Sequence, residues 1–295
     1  MLRRTVALVL AASLTAACSA EPAAPPSPAS PPPAASPSAS VPAAPPAGSA
    51  PAATFAVQVR KLSLNRGADR PLPTTVWVPR GNGPFPLILF SHGLGALPTD
   101  YDELLRAWAK AGFVVAAPAY PHTSTGVKQF SVPDVLNQPA DASLVITRVL
   151  AELGGQIDAE RVAASGHSAG AVTTLGMFTG KRDDRLDAGM VLAGRQALPA
   201  PFTGTPVPMF FVHGRQDATV TFADGRAAYN AVPWPKAFLN LPKGGHVVAG
   251  NELKVVITTS TDFWQWTLYG DAAAKQRLGT DATRGGLATF VDSLG

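Results

Sequence analysis

From residue 55 onward, short apolar runs alternate regularly with stretches of helical periodicity. The runs expected to be strands are 55–64, 74–78, 87–91, 113–117, 162–166, 188–193, 207–213 and 237–241. The stretches expected to be helices are 101–111, 135–153, 169–178, 222–231 and 259–268. Parallel strands need long crossover connections, and helices in those crossovers bury both faces of the sheet. The order therefore predicts the α/β class, with a mostly parallel sheet of about eight strands and helices on both faces.

The first 53 residues have a composition that cannot extend this core. Residues 1–17 combine a basic start, an apolar run and small residues, as in a secretory signal peptide. Within 19–53, 32 of 35 residues are Pro, Ala or Ser and only Glu21 is charged, so this stretch buries too little apolar surface to fold. We therefore expect a signal peptide over 1–17, a disordered tether over 18–53 and one folded domain over 54–295.

Cys18 is the single cysteine of the chain and directly follows Thr15-Ala16-Ala17. This segment is similar to the cleavage box of bacterial lipoproteins, in which the Cys is acylated. The prediction is a lipid-anchored protein on the outer side of the bacterial cytoplasmic membrane. Such a box prefers Leu at the position of Thr15, so cleavage by an ordinary signal peptidase, followed by secretion, is the alternative.

The composition also excludes several kinds of site and partner. One Cys permits neither an intrachain disulfide nor a Cys-built zinc site. The five His are spread singly without a metal-ligand spacing, and no dinucleotide fingerprint occurs, so no metal and no cofactor are expected. The net charge of +4 includes Arg3 and Arg4 of the leader, and no basic block follows. We expect no nucleic-acid partner, no membrane contact beyond the lipid anchor, and a monomer.

The segment 166–170 reads Gly-His-Ser-Ala-Gly and lies between a predicted strand and a predicted helix. This G-x-S-x-G pattern in that setting is typical of a nucleophile elbow, a sharp turn that exposes a reactive serine. The turn requires small neighbours, which Gly166 and Gly170 provide. Ser168 is therefore the candidate nucleophile.

A serine nucleophile needs a histidine base and an acid that orients it. Only His213 and His246 follow Ser168. His246 lies in a glycine-rich loop after the last predicted strand, and Asp217 lies in the loop after the strand before it. Because the loops after parallel strands meet at one edge of the sheet, Asp217 and His246 are expected to meet Ser168 there. His213 is interpreted as a structural residue that bonds to the loop of Asp217, and Asp224 is the alternative acid.

Stabilising the oxyanion of an acyl-transfer reaction requires two N–H donors, expected from the residue after the nucleophile and from the loop after an early strand. These are predicted to be Ala169 and Leu94, with His92 shaping the second loop. The loop 118–133 is the candidate rim of the pocket and offers Tyr120 and His122. Only residues 194–206 separate two predicted strands, which is too short for a large cap domain.

Taken together, these segments resemble the α/β-hydrolase superfamily from about residue 55 to the end. The matching segments are 89–93, 112–115, 139–141, 166–170, 212–214 with Asp217, and 245–246. The resemblance is to a branch with dienelactone-hydrolase-like, platelet-activating-factor-acetylhydrolase-like and chlorophyllase-like enzymes, with cutinase-type polyesterases as relatives. Those polyesterases usually have an aromatic residue at the position of Leu94, Met at that of Ala169 and a disulfide, so polyester hydrolysis is not favoured.

The resemblance implies an exported serine hydrolase that cleaves small-molecule, lipid or polymer esters through an acyl-serine intermediate. The same three residues also serve acyltransferases and peptidases, so these remain alternatives. A different alternative is a catalytically silent lipoprotein that uses the fold for binding.

Overall fold

The computed structural model describes residues 48–197 and 200–295. The strands are β1 (Val57–Arg66), β2 (Arg70–Pro79), β3 (Phe85–Ser91), β4 (Val114–Pro118), β5 (Ile157–His167), β6 (Leu186–Leu192), β7 (Met209–Gly214), β8 (Lys236–Leu241) and β9 (Thr289–Ser293). The helices are α1 (Asp102–Lys110), α2 (Gln138–Leu153), α3 (Ala169–Gly176), α4 (Phe222–Ala231), α5 (Gly250–Tyr269) and α6 (Ala272–Thr283). The predicted signal peptide, Cys18 and the tether up to residue 47 lie outside the described residues.

The strands form a single nine-stranded sheet in the order β1-β2-β4-β3-β5-β6-β7-β8-β9. β4, β3, β5, β6, β7 and β8 run parallel to one another. β2 is antiparallel to both of its neighbours, and β9 is antiparallel to β8. The predicted fold class is confirmed, with nine strands in place of about eight.

Two buried apolar clusters cover the two faces of this sheet. Because side chains alternate along a strand, Leu87 and Leu89 of β3 join one cluster and Ile88 and Phe90 join the other. The first cluster includes residues of α2, α3 and α4, and the second includes residues of α1, α5 and α6. Strands that are buried on both faces read as continuous apolar runs, which is why the sequence identified them.

The last helix and the last strand were not among the predicted elements. β9 reads Thr-Phe-Val-Asp-Ser and its side chains are mostly exposed, because it pairs only at the edge of the sheet. An edge strand of this kind has neither an apolar run nor a strict alternation. α6 is capped by Asp271, whose side chain accepts from the N–H groups of Ala273 and Ala274.

Residues 48–53, which the sequence assigned to the tether, begin the described chain. Gly48 pairs with Asp271 in an isolated parallel bridge, and the N–H of Ala50 donates to the Asp271 carboxylate at 3.3 Å. The chain therefore contacts the domain from Gly48 onward. In the described part of the chain, no helix has the length and apolarity needed to span a membrane.

Candidate active site

Ser168 occupies the turn between β5 and α3 in an unusual backbone conformation. Its φ is 57° and its ψ is −116°, a region that residues with a side chain rarely adopt. The turn is closely packed: a Cβ on Gly166 would lie 2.2 Å from the carbonyl oxygen of Gly170, and a Cβ on Gly170 would lie 1.9 Å from that of Ser91. Glycine is therefore required at both positions, and the turn presents Ser168 at the carboxyl edge of the sheet.

The structure brings Ser168, His246 and Asp217 together at this edge. The Nε2 atom of His246 lies 2.9 Å from Ser168 Oγ, and its Nδ1 atom lies 2.8 Å from Asp217 Oδ2. With Nδ1–H donating to the carboxylate, Nε2 is free to accept the Ser168 hydroxyl proton. The arrangement has the donor and acceptor order that a serine nucleophile requires.

Asp217 is held in place by its own loop. Its Oδ1 atom accepts from the N–H groups of Thr219 and Val220, each at 2.8 Å. Burial raises the pKa of Asp217, but the hydrogen bonds from His246 and from these two N–H groups outweigh burial and hold the pKa below its usual value. The carboxylate is therefore ionised at neutral pH and can orient the His246 ring.

The alternatives considered for base and acid have other hydrogen-bond partners than Ser168 and the His246 ring. His213 is buried; its Nε2–H donates to the carbonyl oxygen of Val220 at 2.9 Å, and the same atom lies 3.3 Å from Asp217 Oδ2. His213 thus supports the loop that carries Asp217. Asp224 completes the capping box of α4, whose N-cap is Thr221, by accepting from the N–H and hydroxyl of that residue.

Leu94 and Ala169, the predicted oxyanion donors, line the same cavity as Ser168. Ala169 is the first residue of α3, so its N–H points out of the helix start, where the helix dipole favours negative charge. The loop of Leu94 is fixed by a hydrogen bond from the N–H of Gly95 to the carbonyl oxygen of Thr123 at 2.7 Å. Both residues therefore border the same cavity as Ser168, as the predicted role of oxyanion donor requires.

His92 is a buried structural residue of this loop. Its Nδ1–H donates to the carbonyl oxygen of Gly93 at 2.7 Å, and its Nε2 accepts from the N–H of Tyr120 at 3.2 Å. The Ser124 hydroxyl also lies 3.0 Å from Nε2. Burial lowers the pKa of His92, so the ring is neutral and keeps both roles.

Tyr120 and His122 do not line the cavity of Ser168, contrary to the sequence-based expectation. Tyr120 is fully buried, and its hydroxyl shares a hydrogen bond with Ser91 Oγ at 2.7 Å. His122 bonds through Nδ1 to the carbonyl oxygen of Gln129 at 3.0 Å. The loop folds back on itself and on the core, so the wall of the cavity comes from the next segment, the 3-10 turn Val132–Leu136.

The cavity at Ser168 has a volume of about 440 Å³ and a largely apolar lining. Val132, Val135 and Leu136 line it together with Val172 of α3. Among the lining residues that the structure describes, Arg195 is the single charged one, and no sequence signal singled it out. An apolar cavity with few polar groups at a reactive residue is the usual form of a small-molecule site.

Tyr101 and His167 form a hydrogen-bond network that the motif analysis missed. The Tyr101 hydroxyl accepts from the N–H of Gly93 at 3.0 Å and lies 2.8 Å from His167 Nδ1. His167 Nε2 lies 2.8 Å from the carbonyl oxygen of His246. The only consistent tautomer has Nε2–H donating to His246 and Nδ1 accepting from Tyr101. One neutral histidine therefore connects, through Tyr101, the loop of Gly93 and Leu94 to the backbone of His246.

Tyr101→Phe is expected to weaken both stability and catalysis. The change leaves the Gly93 N–H and His167 Nδ1 without their partner, which costs about 2–3 kcal/mol of unfolding free energy. Because the loop of Leu94 and the backbone of His246 lose a common support, kcat/KM should fall about tenfold. Denaturant unfolding and ester kinetics measure the two effects.

Tyr269→Phe is the matched control for this change. Tyr269 is the last residue of α5, and its hydroxyl donates to the carbonyl oxygen of Gly112. Its loss should lower stability and leave kcat/KM unchanged. If both variants lowered kcat/KM equally, Tyr101 would have no special role at the site.

Acid is expected to destabilise the protein through His167. Burial is the main reason that the pKa of His167 is lowered from 6.5 to about 4. The unfolded chain takes up this proton near pH 6.5, whereas the folded chain does not until about pH 4. Stability should therefore be lost as pH falls between these values, by up to roughly 3 kcal/mol. His167→Gln, which cannot titrate, should show a smaller pH slope of unfolding free energy; equal slopes would contradict the prediction.

The described part of the chain holds no cluster of His, Cys, Asp or Glu suited to a metal ion.

Comparison with known sequences identifies the family of the chain. The sequence profile of the chlorophyllase family matches residues 46–193, a range that includes the oxyanion loop and the turn of Ser168.

Two relatives are similar over part of the chain. Cutinase est2 of Thermobifida alba is 30% identical over 186 residues, which cover 61% of this chain and 59% of that protein. Esterase FrsA of Shigella boydii serotype 18 is 35% identical over 116 residues, which cover 38% of this chain and 26% of that protein. The chain thus spans less than two thirds of the length of each of these relatives.

The sheet order and the serine turn at the carboxyl edge of the sheet define an α/β-hydrolase fold. Within that fold, the chain belongs to the chlorophyllase family. The resemblance to the α/β-hydrolase superfamily and its chlorophyllase-like branch, which was inferred from the sequence motifs, is confirmed.

Proposed function

We propose that this protein is a serine hydrolase that cleaves carboxylic esters. The observation that carries the proposal is the hydrogen-bonded series Asp217–His246–Ser168, with distances of 2.8 and 2.9 Å, which opens on an apolar cavity. The described relatives, a cutinase and an esterase by name, support the same chemistry.

The reaction proceeds in two halves. Ser168 Oγ attacks the ester carbonyl carbon while its proton passes to His246 Nε2, and the N–H groups of Leu94 and Ala169 stabilise the resulting oxyanion. His246 then gives the proton to the departing alcohol oxygen, which leaves an acyl group on Ser168. Water repeats the sequence with the same proton path and releases the acid. Asp217 stays ionised and stabilises His246 whenever the ring carries two protons.

A fluorophosphonate probe tests whether the serine is reactive. The wild-type protein should become covalently labelled at Ser168, and Ser168→Ala should not be labelled. Parallel assays on esters, amides and added acceptor alcohols then separate a hydrolase from a peptidase or an acyltransferase. Absence of labelling in a folded wild-type protein would instead favour a catalytically silent binding protein.

We further propose that the protein is exported and anchored through Cys18. The composition of 1–17 and the small residues before Cys18 support this proposal. In a bacterial host, Cys18→Ser should move the protein from the membrane fraction to the soluble fraction. Unchanged fractionation would exclude lipidation, and a soluble wild-type protein outside the cell would favour plain secretion.

A further inference from the structure

The cavity at Ser168 adjoins a second cavity of about 160 Å³. The two cavities share four lining residues: Val135, Leu136, Val172 and Ala197. The lining of the second cavity includes Leu175 of α3 and Gly180, which lies beyond the end of that helix at Gly176. We call these two adjoining cavities together the acyl groove.

The position of the oxyanion donors indicates which part of an ester enters this groove. Leu94 and Ala169 line the first cavity, so a carbonyl oxygen directed at their N–H groups leaves the acyl substituent inside it. A different cavity, of about 300 Å³, lies on the other side and is lined by His167 and by Val247 and Val248, which follow His246. Since His246 must protonate the leaving oxygen, the alcohol part belongs on that side.

The walls of the acyl groove are firmly held, so its width is a fixed property of the fold. Arg70 makes two hydrogen bonds to Asp134, at 2.8 and 2.9 Å, and also pairs with the fully buried Asp141. These bonds fix the turn Val132–Leu136 to the start of α2. On the floor of the groove, a Cβ on Gly176 would lie 2.6 Å from the ring of Pro139, so α2 and α3 pack without space between them.

Two uncharged polar side chains of the described residues line the second cavity, and each donates its hydrogen bond within the chain. The Thr179 hydroxyl donates to the carbonyl oxygen of Leu175, and the Gln196 side-chain N–H donates to that of Ala200, each at 3.2 Å. The lining residues Val135, Leu136, Val172 and Leu175 are aliphatic. The two cationic residues of the described lining, Arg195 and Lys181, are exposed to solvent. Such a path suits an unbranched hydrocarbon chain that is longer than the first cavity alone would need.

We propose that the preferred substrates are esters whose acyl part is a medium to long linear aliphatic chain that extends from Ser168 through the acyl groove toward Gly180. This inference rests on the proposed esterase function. Each methylene that enters the groove should raise kcat/KM about three- to fourfold until the chain reaches its far end.

Two substitutions test the groove at different depths. Val172→Phe narrows the junction of the two cavities. Gly180→Phe fills only the distal end, because Gly180 lines the second cavity and not the first, and a Cβ there would meet only Ala200, 4.0 Å away. A nitrophenyl ester series from acetate to dodecanoate is measured with the full-length wild type and both variants.

The expected result is a stepwise change in chain-length preference. Val172→Phe should lower the octanoate-to-acetate ratio of kcat/KM at least tenfold. Gly180→Phe should keep that ratio close to the wild-type value and lower the dodecanoate-to-octanoate ratio. Leu287→Phe, at an exposed apolar residue before β9, is the matched control and should change neither ratio.

A second series varies the alcohol part at constant acetate. If Val172→Phe shortens the preference in the alcohol series and leaves the acyl series unchanged, the assignment of the groove is wrong. A wild-type enzyme that hydrolyses acetate but shows a flat response to acyl length also overturns it. Either result leaves the proposed esterase function standing, whereas a wild type that neither turns over acetate nor labels with fluorophosphonate refutes that function itself. Gly180→Phe keeps the test valid if Val172→Phe fails to fold.

Discussion

Ser168→Ala is expected to lower kcat/KM for ester hydrolysis by at least about 10³-fold, with little change in the free energy of unfolding. The substitution removes the nucleophilic oxygen and keeps the Cβ, so the turn at φ 57° is retained. The proposed oxyanion donors Leu94 and Ala169 are not altered, so we expect them to account for any residual rate. Ester kinetics and denaturant unfolding measure the two quantities.

Ser165→Ala provides a matched control on the same strand. Ser165 is a fully buried residue of β5 whose hydroxyl oxygen has no hydrogen-bond partner in the described region. Its removal should leave kcat/KM unchanged and should not destabilise the protein. If a folded Ser168→Ala protein kept most of its activity, the nucleophile would have to be another residue.

The sequence predicted the central sheet because its strands are buried on both faces. Runs such as 87–91 and 113–117 contain little besides apolar residues, and each proved to be an interior strand. β9 gave no such signal because an edge strand buries little of its surface, and its pairing with β8 depends on where the chain returns after α6. The pairing of β9 is therefore a tertiary property that its local sequence does not encode, whereas the other edge strand, β1, was among the predicted strands.

The residues of the candidate site likewise fall into two groups: those that a sequence motif predicts, and those that depend on contacts between distant parts of the chain. His246 could be predicted because only two histidines follow Ser168, and the fold brings successive loops to one edge. The network of Tyr101 and His167 joins residues 66 positions apart, so no motif spacing reveals it. Tyr120 looked like a rim residue because it follows a strand end, but its aromatic ring is better buried against the core than exposed to water.

The loop of Asp217 shows how backbone groups, which carry no sequence signal, determine a side chain's role. The N–H groups of Thr219 and Val220 bind Oδ1 and leave Oδ2 facing His246. The carboxylate thus has one oxygen for its own loop and one for the ring. Any residue at this position must match donors on one side and a ring N–H on the other.

Asp217→Asn is expected to lower kcat about 10³- to 10⁴-fold, although the side chain keeps nearly the same shape. The N–H groups of Thr219 and Val220 require an acceptor, so the amide oxygen takes the place of Oδ1 and the amide NH₂ faces His246. An NH₂ group at 2.8 Å from Nδ1 forces that atom to accept, which moves the ring proton to Nε2. A protonated Nε2 cannot accept the Ser168 hydroxyl proton, so the nucleophile is not activated.

Asp224→Asn separates this effect from a general loss of charge in the same loop and helix. Asp224 completes the capping box of α4 with the N-cap Thr221, and the amide oxygen of Asn can still accept from Thr221. The variant should therefore keep its activity and lose at most about 1 kcal/mol of stability. Steady-state kinetics of the two variants, together with their unfolding curves, give the comparison. A large loss of kcat in Asp224→Asn with an active Asp217→Asn would transfer the orienting role to Asp224. The structure predicts the opposite, because Asp217 alone of the two bonds to the His246 ring.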